Sequence, residues 1–232
     1  MADSRTTHGR AVPSGRFGIV WPVSRRQQVV DAVRDAIVAG QIVPGEQLKQ
    51  DQLAAELGVS PAPIREALRQ LESEGLVAHQ PNRGVFVTAV SVEELFEVLL
   101  PMRLALEAYA FTQSMNLLTE AQYAELERFA AVMDQGAADV DLVAIKEADL
   151  RFHEFVIAAS EAPHTIQLWR SVHSRIRAQL SRMVPRHADL RAIADEHRKL
   201  LNVLRAGDPA AIREILHGHI VVAAEVLLSG NS

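Results

Sequence analysis

The sequence predicts a mainly α-helical protein with a small N-terminal domain and a C-terminal all-helical antiparallel bundle of about six helices. Three observations support this fold class. Apolar residues recur at helical spacing from about residue 92 to residue 228. Strand-like segments are confined to residues 76–88. The 232 residues, 48% of them hydrophobic, suffice for two domains with sizeable cores.

The N-terminal domain is predicted to span residues 24–90, after a flexible arm of residues 1–23 that lacks apolar periodicity. Ser24 is a suitable N-cap for a first helix that closes at Gly40. A turn then leads into a short helix, from about Asp51 to Leu57, that ends at Gly58.

The third helix and the hairpin after it complete this domain. Ser60 is a good N-cap, Pro61 suits the first helical position, and the apolar stripe ends at Gly75. Two helices joined by a tight turn are typical of a helix-turn-helix. Two short strands, 76–79 and 85–88, then flank a turn. Together they predict a winged helix-turn-helix, in which the second helix of the motif enters the DNA major groove.

The winged-helix prediction supplies candidate DNA contacts. Arginines facing outward from the recognition helix match guanine edges or phosphates. A serine at a helix N-terminus can bind phosphate, and a glycine in the wing allows close approach to the DNA backbone. The alternative for the arginines is a solvated helix face. The candidates are Lys49, Ser60, Arg65, Arg69, Asn82, Arg83 and Gly84.

The bundle is predicted to occupy residues 91–232. Its six segments are about 92–114, 119–135, 140–159, 164–184, 188–205 and 209–228. The separators are Asn116, Gly136, Pro163, Pro185 and Gly207-Asp208-Pro209. The apolar stripe of the last segment is predicted to include Val222 and Val226.

The composition excludes several classes of protein. No run approaches the roughly 18 apolar residues of a membrane-spanning helix, and the polar N-terminus lacks the apolar centre of a signal peptide. We therefore expect a cytoplasmic protein without a membrane partner. Cys is absent, which excludes disulfides, thiolate metal sites and cysteine nucleophiles. Any metal must be held by nitrogen and oxygen.

A polar constellation is predicted inside the bundle. Asp149 and His153 are four residues apart within one apolar stripe, and His197 and His219 lie within the stripes of two other helices. Because unpartnered buried polar groups are costly, the four should converge. Three imidazoles and a carboxylate suit Zn, Ni or Mn and leave positions open for an external ligand. The alternatives are a hydrogen-bonded cluster without metal, or isolated core histidines.

Several motifs now resemble a known family. Residues 29–87 resemble the GntR family of bacterial transcription regulators through Gly40-x-Ile42-x-Pro44-Gly45-Glu46-x-Leu48, Leu53-Ala54-x-x-Leu57-Gly58-Val59-Ser60, Pro63-Ile64-Arg65-Glu66-Ala67-Leu68, Leu71-x-x-Glu74-Gly75-Leu76-Val77 and Arg83-Gly84-x-Phe86-Val87. The second half is similar to the FCD effector domain of the FadR subfamily through Asp149-x-x-x-His153, Glu196-His197-Arg198 and His219-Ile220. Pro61 and Asp51 depart from the residues usual in the family.

The resemblance implies a homodimer that binds a palindromic operator and responds to a small ligand. It also implies that the Asp and three His hold a metal. Arg103 resembles the residue that holds the carboxylate of the effector, and Arg175 is a second candidate for this role. For Arg103 the alternative is a surface ion pair with Glu107, four residues on.

The residues and the resemblance together favour a DNA-binding transcription regulator that is not an enzyme. A small organic acid bound at the metal would change operator affinity by altering the spacing of two recognition helices. One alternative is a metal-dependent hydrolase, since three histidines and a carboxylate also occur in hydrolytic centres. The other is a structural metal site in a DNA-binding dimer that responds to no ligand.

Overall fold

The computed structural model describes residues 24–180 and 189–229. These residues form nine helices and a three-stranded sheet. The predicted arm of residues 1–23 lies outside the described ranges, as do the last four residues of the segment predicted for 164–184. Within the described ranges no helix is long and apolar enough to cross a membrane.

Three helices begin the N-terminal unit much as predicted. Helix α1 is Arg25–Val38, and the Ser24 hydroxyl caps it by accepting the Gln27 N–H. Helix α2 is Gln50–Leu57 and ends at Gly58, whose left-handed conformation favours glycine. Helix α3 is Pro61–Ser73. Ser60 precedes α3 but, contrary to prediction, its side chain makes no capping hydrogen bond.

The sheet contains one strand more than predicted. The expected hairpin is formed by β2, Val77–Gln80, and β3, Gly84–Val87. Strand β1, Gln47–Leu48, pairs antiparallel with β3, so the strand order is β1-β3-β2. Two residues are too few to show strand periodicity, which is why the sequence does not reveal β1.

Six helices form the C-terminal bundle. The first, α4, comprises Val92–Glu94, a π-helical turn Leu95–Leu99 and Leu100–Ser114. The next four are α5 Glu120–Asp139, α6 Leu142–Ala159, α7 Pro163–Leu180 and α8 Leu190–Ala206. The last, α9, comprises Pro209–His217, a π-helical turn Gly218–Val222 and Ala223–Ser229.

Gly136 does not separate two helices, contrary to prediction. Helix α5 continues through it to Asp139 and ends where Val140 takes a left-handed conformation. A Cβ atom at Gly136 would lie 2.8 Å from Cγ1 of the buried Ile145 on α6. The glycine therefore permits close packing of α5 against α6.

The predicted stripe of the last helix is also wrong beyond His219. Val222 and Val226 are exposed, whereas Ile220 and Ala224 are buried. The cause is the π-helical turn, which has one residue more than an α-helical turn and shifts the buried face along the sequence.

The two units each have a hydrophobic core, and α7 contacts both. Helix α7 contributes Val172 and Ile176 to the core of the bundle. Its Ala178 belongs to the core of the N-terminal unit, with residues of α1, α3 and the sheet. Helix α7 therefore connects the interior of the bundle to the winged helix-turn-helix.

Candidate metal centre and nucleic-acid interface

Three helices bring the four predicted metal ligands together. Asp149 and His153 lie one turn apart on α6, His197 lies on α8, and His219 lies in the π-helical turn of α9. One ligand atom from each residue can be chosen so that all four atoms lie within 4.8 Å of one another. Sequence reasoning thus found a set of side chains that converge.

Each of the three imidazoles is oriented by an oxygen that contacts its Nδ1 atom. Nδ1 of His153 lies 2.8 Å from Oε2 of Glu107. Nδ1 of His197 lies 2.7 Å from the Ile193 carbonyl oxygen, and Nδ1 of His219 lies 2.8 Å from Oε2 of Glu196. Carbonyls and carboxylates accept hydrogen bonds, so this arrangement favours the tautomer with the proton on Nδ1.

The Nε2 atoms are consequently free to act as metal ligands. Nε2 of His153 lies 3.0 Å from Nε2 of His219, and Nε2 of His197 lies 3.2 Å from Oδ1 of Asp149. Two bare imidazole nitrogens at this distance repel each other unless a cation or a proton lies between them. A carboxylate with three histidines, each held by an outer oxygen, matches the usual construction of a metal centre.

Electrostatics keep Asp149 and His219 in the forms that bind metal. Desolvation raises the pKa of Asp149, but the close approach of His197 and of the other two imidazoles holds that pKa well below its usual value. Burial lowers the pKa of His219 to about 4, although its hydrogen bond to Glu196 opposes the shift. At neutral pH the site therefore contains an ionised carboxylate, and the His219 ring is neutral.

Arg103 lies behind the cluster in a buried network that the sequence did not predict. Its Nε donates to Oε1 of Glu107 over 2.7 Å, and Nε1 of Trp169 donates to the same oxygen over 2.8 Å. The Arg103–Glu107 pair is buried, so the alternative of a surface ion pair is wrong. In the described part of the chain, Nη2 of Arg103 and Nε2 of His173 are buried without a hydrogen-bond partner.

Arg175 is not brought to the cluster. Its Nε donates to the Glu74 carbonyl oxygen over 3.0 Å, at the end of α3. The predicted use of Arg175 as an effector ligand would require this side chain to leave the winged-helix unit.

Residues that orient the ligands were missed by sequence reasoning. The sequence presents Glu107 only as a partner of Arg103 and Glu196 only as part of a motif, and it gives Trp169 no role. For Glu107 the sequence does contain a signal, because it lies four residues from Arg103 and can pair with it. However, a carboxylate on a helix is usually a solvated side chain, so this spacing alone does not indicate a buried role. Only the packing of α4 and α7 against α6 shows that Glu107 meets His153.

The candidate DNA contacts lie on the exposed side of the N-terminal unit. Lys49, Ser60, Arg65, Arg69, Asn82 and Arg83 are exposed, and Gly84 is partly buried. Glu72, a possible partner of Arg65, instead accepts the His79 N–H. The recognition helix α3 therefore presents two arginines to solvent.

The tip of the wing has a defined conformation. Asn82 and Gly84 have positive φ angles of 61° and 99°. The Gln47 side chain donates to the Arg83 carbonyl oxygen over 2.6 Å, and the Arg83 guanidinium lies over the Phe86 ring. The unpredicted strand β1 thus supports the wing.

A winged helix-turn-helix joined to an all-helical domain defines a class of transcription regulators. Residues 25–87 match the family described as bacterial regulatory proteins, gntR family, and residues 96–221 match the FCD domain. The chain belongs to the GntR family of transcriptional regulators and carries an FCD domain.

Relatives extend over most of the chain. It is 30% identical over 200 residues to the probable D-xylose utilization operon transcriptional repressor of Paenarthrobacter nicotinovorans, covering 84% of this chain and 87% of the relative. It is 25% identical over 197 residues to the gluconate operon transcriptional repressor of Bacillus subtilis, covering 82% and 79%. The solved structure of E. coli McbR/YncC has 25% identity and a TM-score of 0.82, covering 91% and 100%. These matches are to transcription regulators, so the hydrolase alternative is rejected.

Proposed function

We propose that this chain is a homodimeric transcription regulator whose affinity for a palindromic operator is controlled by a small organic acid bound at a metal ion. The observation that carries the proposal is the convergence of three Nε2 atoms on Asp149, with each Nδ1 atom held by an oxygen. An oxygen on Nδ1 is also how metal-ligating histidines are usually oriented, with Nε2 left for the ion.

The donor set favours Zn²⁺, Ni²⁺ or Mn²⁺. Neutral imidazoles suit all three ions, and four protein ligands leave one or two positions open in a five- or six-coordinate site. When bound, the metal supplies a Lewis-acidic centre to which a carboxylate or hydroxyl oxygen of the effector can attach.

Buried donors beside the centre favour an anionic effector. Nη2 of Arg103 lacks a partner although Nε of the same side chain is paired with Glu107. A carboxylate oxygen would satisfy this N–H group and balance its charge. A repressor of a gluconate operon is among the relatives, and gluconate is a hydroxy acid with the corresponding groups.

The DNA-binding part of the proposal rests on α3 and the wing. Arg65 and Arg69 are assigned to the major groove, Arg83, Asn82 and Gly84 to the DNA backbone or minor groove, and Lys49 and Ser60 to phosphate contacts. In a dimer both recognition helices must match two half-sites, so a small rotation of the domains weakens binding without changing any single contact.

The first experiment measures the metal content of the wild type and of two matched variants. Elemental analysis of protein purified without chelators or a His-tag should give about one ion per chain for the wild type and for the His217→Ala variant, because His217 is exposed on the same helix. The His219→Ala variant should lose the ion. Equal metal contents in the two variants would contradict the assignment.

The operator response then separates regulation from a structural metal. With an operator selected from random DNA, a panel of hydroxy and dicarboxylic acids should change the anisotropy titration of the metal-loaded wild type but not that of His219→Ala. If no acid changes the operator affinity of the metal-loaded dimer, the alternative of a structural metal site is favoured.

Replacing Arg65 tests the recognition helix. We expect Arg65→Ala to weaken operator binding by about 1–3 kcal/mol and to relax the preference at one base pair, because a guanidinium fork to guanine is lost. Arg151→Ala, an exposed arginine in the bundle, is the control. Unchanged affinity for Arg65→Ala in the anisotropy titration would remove this residue from the interface.

A further inference from the structure

The C-terminus of the recognition helix is held by a residue of the bundle. Nε of Arg175, on α7, donates to the carbonyl oxygen of Glu74, the residue that ends α3, over 3.0 Å. Carbonyls at a helix C-terminus carry partial negative charge and lack partners within the helix, so a guanidinium is favourable there.

Gly75 makes room for this contact. It follows Glu74 with a φ angle of +73°, and a Cβ atom there would lie 2.3 Å from Nη2 and 2.5 Å from Cζ of Arg175. Any other residue at position 75 would therefore displace the guanidinium. The glycine serves both the turn and the close approach of α7.

The end of α3 is fixed from a second direction within its own domain. The Glu74 carboxylate receives a fork of hydrogen bonds from Arg34 of α1, from Nη2 to Oε1 at 2.8 Å and from Nε to Oε2 at 3.2 Å. One turn beyond Arg175, Ala178 is buried in the core of the N-terminal unit. Helix α7 is thus docked against the base of the recognition helix.

Two turns before Arg175, α7 reaches the candidate metal site through Glu107. Nε1 of Trp169 donates to Glu107, which also contacts the metal-ligand candidate His153. His173 stacks on Trp169 with ring centroids 4.3 Å apart. Trp169 and Arg175 are six residues apart on one continuous helix, a rise of about 9 Å. A displacement of α7 at Trp169 therefore reaches the Glu74 carbonyl.

We propose that Arg175 is a positioning residue that couples occupancy of the metal site to the orientation of the recognition helix through the Glu74 carbonyl. This inference rests on the proposed function, because it takes the four-residue cluster to bind a metal. It replaces the sequence-based role of Arg175 as an effector ligand. The coupling requires that the metal-loaded and metal-free states differ in how α7 docks on α3.

The test uses Zn²⁺ alone as the probe and amide hydrogen exchange of residues 74–77 as the readout. In the full-length wild type, saturating Zn²⁺ should slow exchange in this segment by about fivefold or more, the lower end of typical coupling energies. In Arg175→Ala the effect should fall below about twofold, although Zn²⁺ affinity measured by chelator competition stays the same. A purely structural role would change the exchange rates but not their response to Zn²⁺.

Two glycines provide a matched pair of variants. Gly75→Ala should abolish the response to Zn²⁺ because the methyl group expels Arg175. Gly58→Ala should retain it, because Gly58 also has a positive φ angle of 63° but nothing lies within 4 Å of its added methyl group. Both substitutions remove the same contact, so their effects should not add. In the Gly75→Ala/Arg175→Ala double variant, the response of hydrogen exchange to Zn²⁺ should therefore be no smaller than in either single variant.

The outcomes that overturn the inference differ from those that overturn the proposed function. If Zn²⁺ slows exchange equally in the wild type, Arg175→Ala and Gly75→Ala, the contact does not couple the sites. If Zn²⁺ binds the wild type without changing exchange at residues 74–77, the coupling is also rejected while the metal site stands. If Zn²⁺ does not bind the wild type, the metal-dependent function itself fails, and the coupling fails with it.

Discussion

Glu107 is the residue that connects the candidate metal ligand His153 to Arg103 and Trp169. It is fully buried and lies within 2.8 Å of donors on Arg103, Trp169 and His153. Burial raises its pKa, but the charge of Arg103 and the contact with His153 hold that pKa well below its usual value. The ionised carboxylate can therefore accept from all three donors.

Replacing this carboxylate should weaken the metal site. Glu107→Gln replaces one accepting oxygen with an NH₂ group, so one of the three donors loses its acceptor. We expect the affinity for Zn²⁺ to fall about 10- to 100-fold, measured by competition with a chromophoric chelator. Glu120→Gln is the control, because the Glu120 side chain is 83% exposed and pairs only with Arg205 among described residues. Equal affinities would show that Glu107 does not orient His153.

His173 predicts a pH dependence of stability. Burial, followed by the charge of Arg103, lowers its pKa well below the ordinary value of 6.5. Above pH 6.5 neither the folded nor the unfolded chain protonates this ring. As the pH falls below 6.5, the unfolded chain binds a proton that the folded chain does not, so stability decreases.

The measurement compares urea unfolding of chelator-treated protein between pH 7 and pH 5. His173→Phe keeps the stacking on Trp169 and removes the titration. As the pH falls, the free energy of unfolding of the wild type should decrease by up to about 1.4 kcal/mol per pH unit more than that of this variant. His164→Phe, an exposed site on the same helix, should behave as the wild type does. Parallel stability curves for wild type and His173→Phe would contradict the buried neutral ring.

At the scale of helices, Gly136 determines how closely α5 and α6 approach. Alanine is normally the better helix former, but here its methyl group would meet Cγ1 of Ile145 at 2.8 Å. We expect Gly136→Ala to lower the free energy of unfolding by about 1–3 kcal/mol through overpacking. Gly218→Ala, with nothing within 4 Å of the methyl group, should be neutral or stabilising by up to about 1 kcal/mol. Urea denaturation of both variants without metal checks this, and equal stabilities would refute it.

The sequence predicts helices better than their irregularities. The six segments of the bundle follow from apolar periodicity and from Pro and Gly breaks, and the structure confirms them with shifted ends. The π-helical turns at Leu95–Leu99 and Gly218–Val222 lack such a signal, because one extra residue in a turn leaves both flanking segments helical. Gly136 was misread because a glycine that ends a helix and one that admits a neighbouring helix look the same in the sequence.

At the scale of the whole molecule, the four candidate metal ligands lie on α6, α8 and α9, so a bound ion would link these helices. A ligand that binds only the folded state stabilises it by mass action, by about 2.7 kcal/mol at a free concentration 100 times the dissociation constant. For a chain of this size that corresponds to a rise in Tm of about 5–10 °C. Calorimetry with Zn²⁺ and with a chelator checks this for the wild type. Asp149→Asn should respond less, and an unchanged wild-type Tm would argue against metal binding.

The convergence of the four ligand candidates could be predicted because each lies within an apolar stripe, where an unpartnered polar group is costly. The outer partners of these ligands could not be predicted, since Glu107 and Trp169 reach the site only through the packing of α4 and α7 on α6. The same limit explains why the contact of Arg175 with Glu74 could not be predicted. The periodicity of α7 places it on a helix face, but only the docking of two domains reveals that this face meets Glu74.

The π-helical turn that carries His219 also bears on how such a chain can evolve. A π-helical turn amounts to a single inserted residue, and loss of one codon within residues 218–222 would restore a continuous α-helix. The part of α9 on one side of the deletion would then rotate by about 100° relative to the other. Either the histidine would leave the site or the C-terminal turns would leave the core. One insertion or deletion event would thus separate chains with His219 in the four-residue cluster from chains without it.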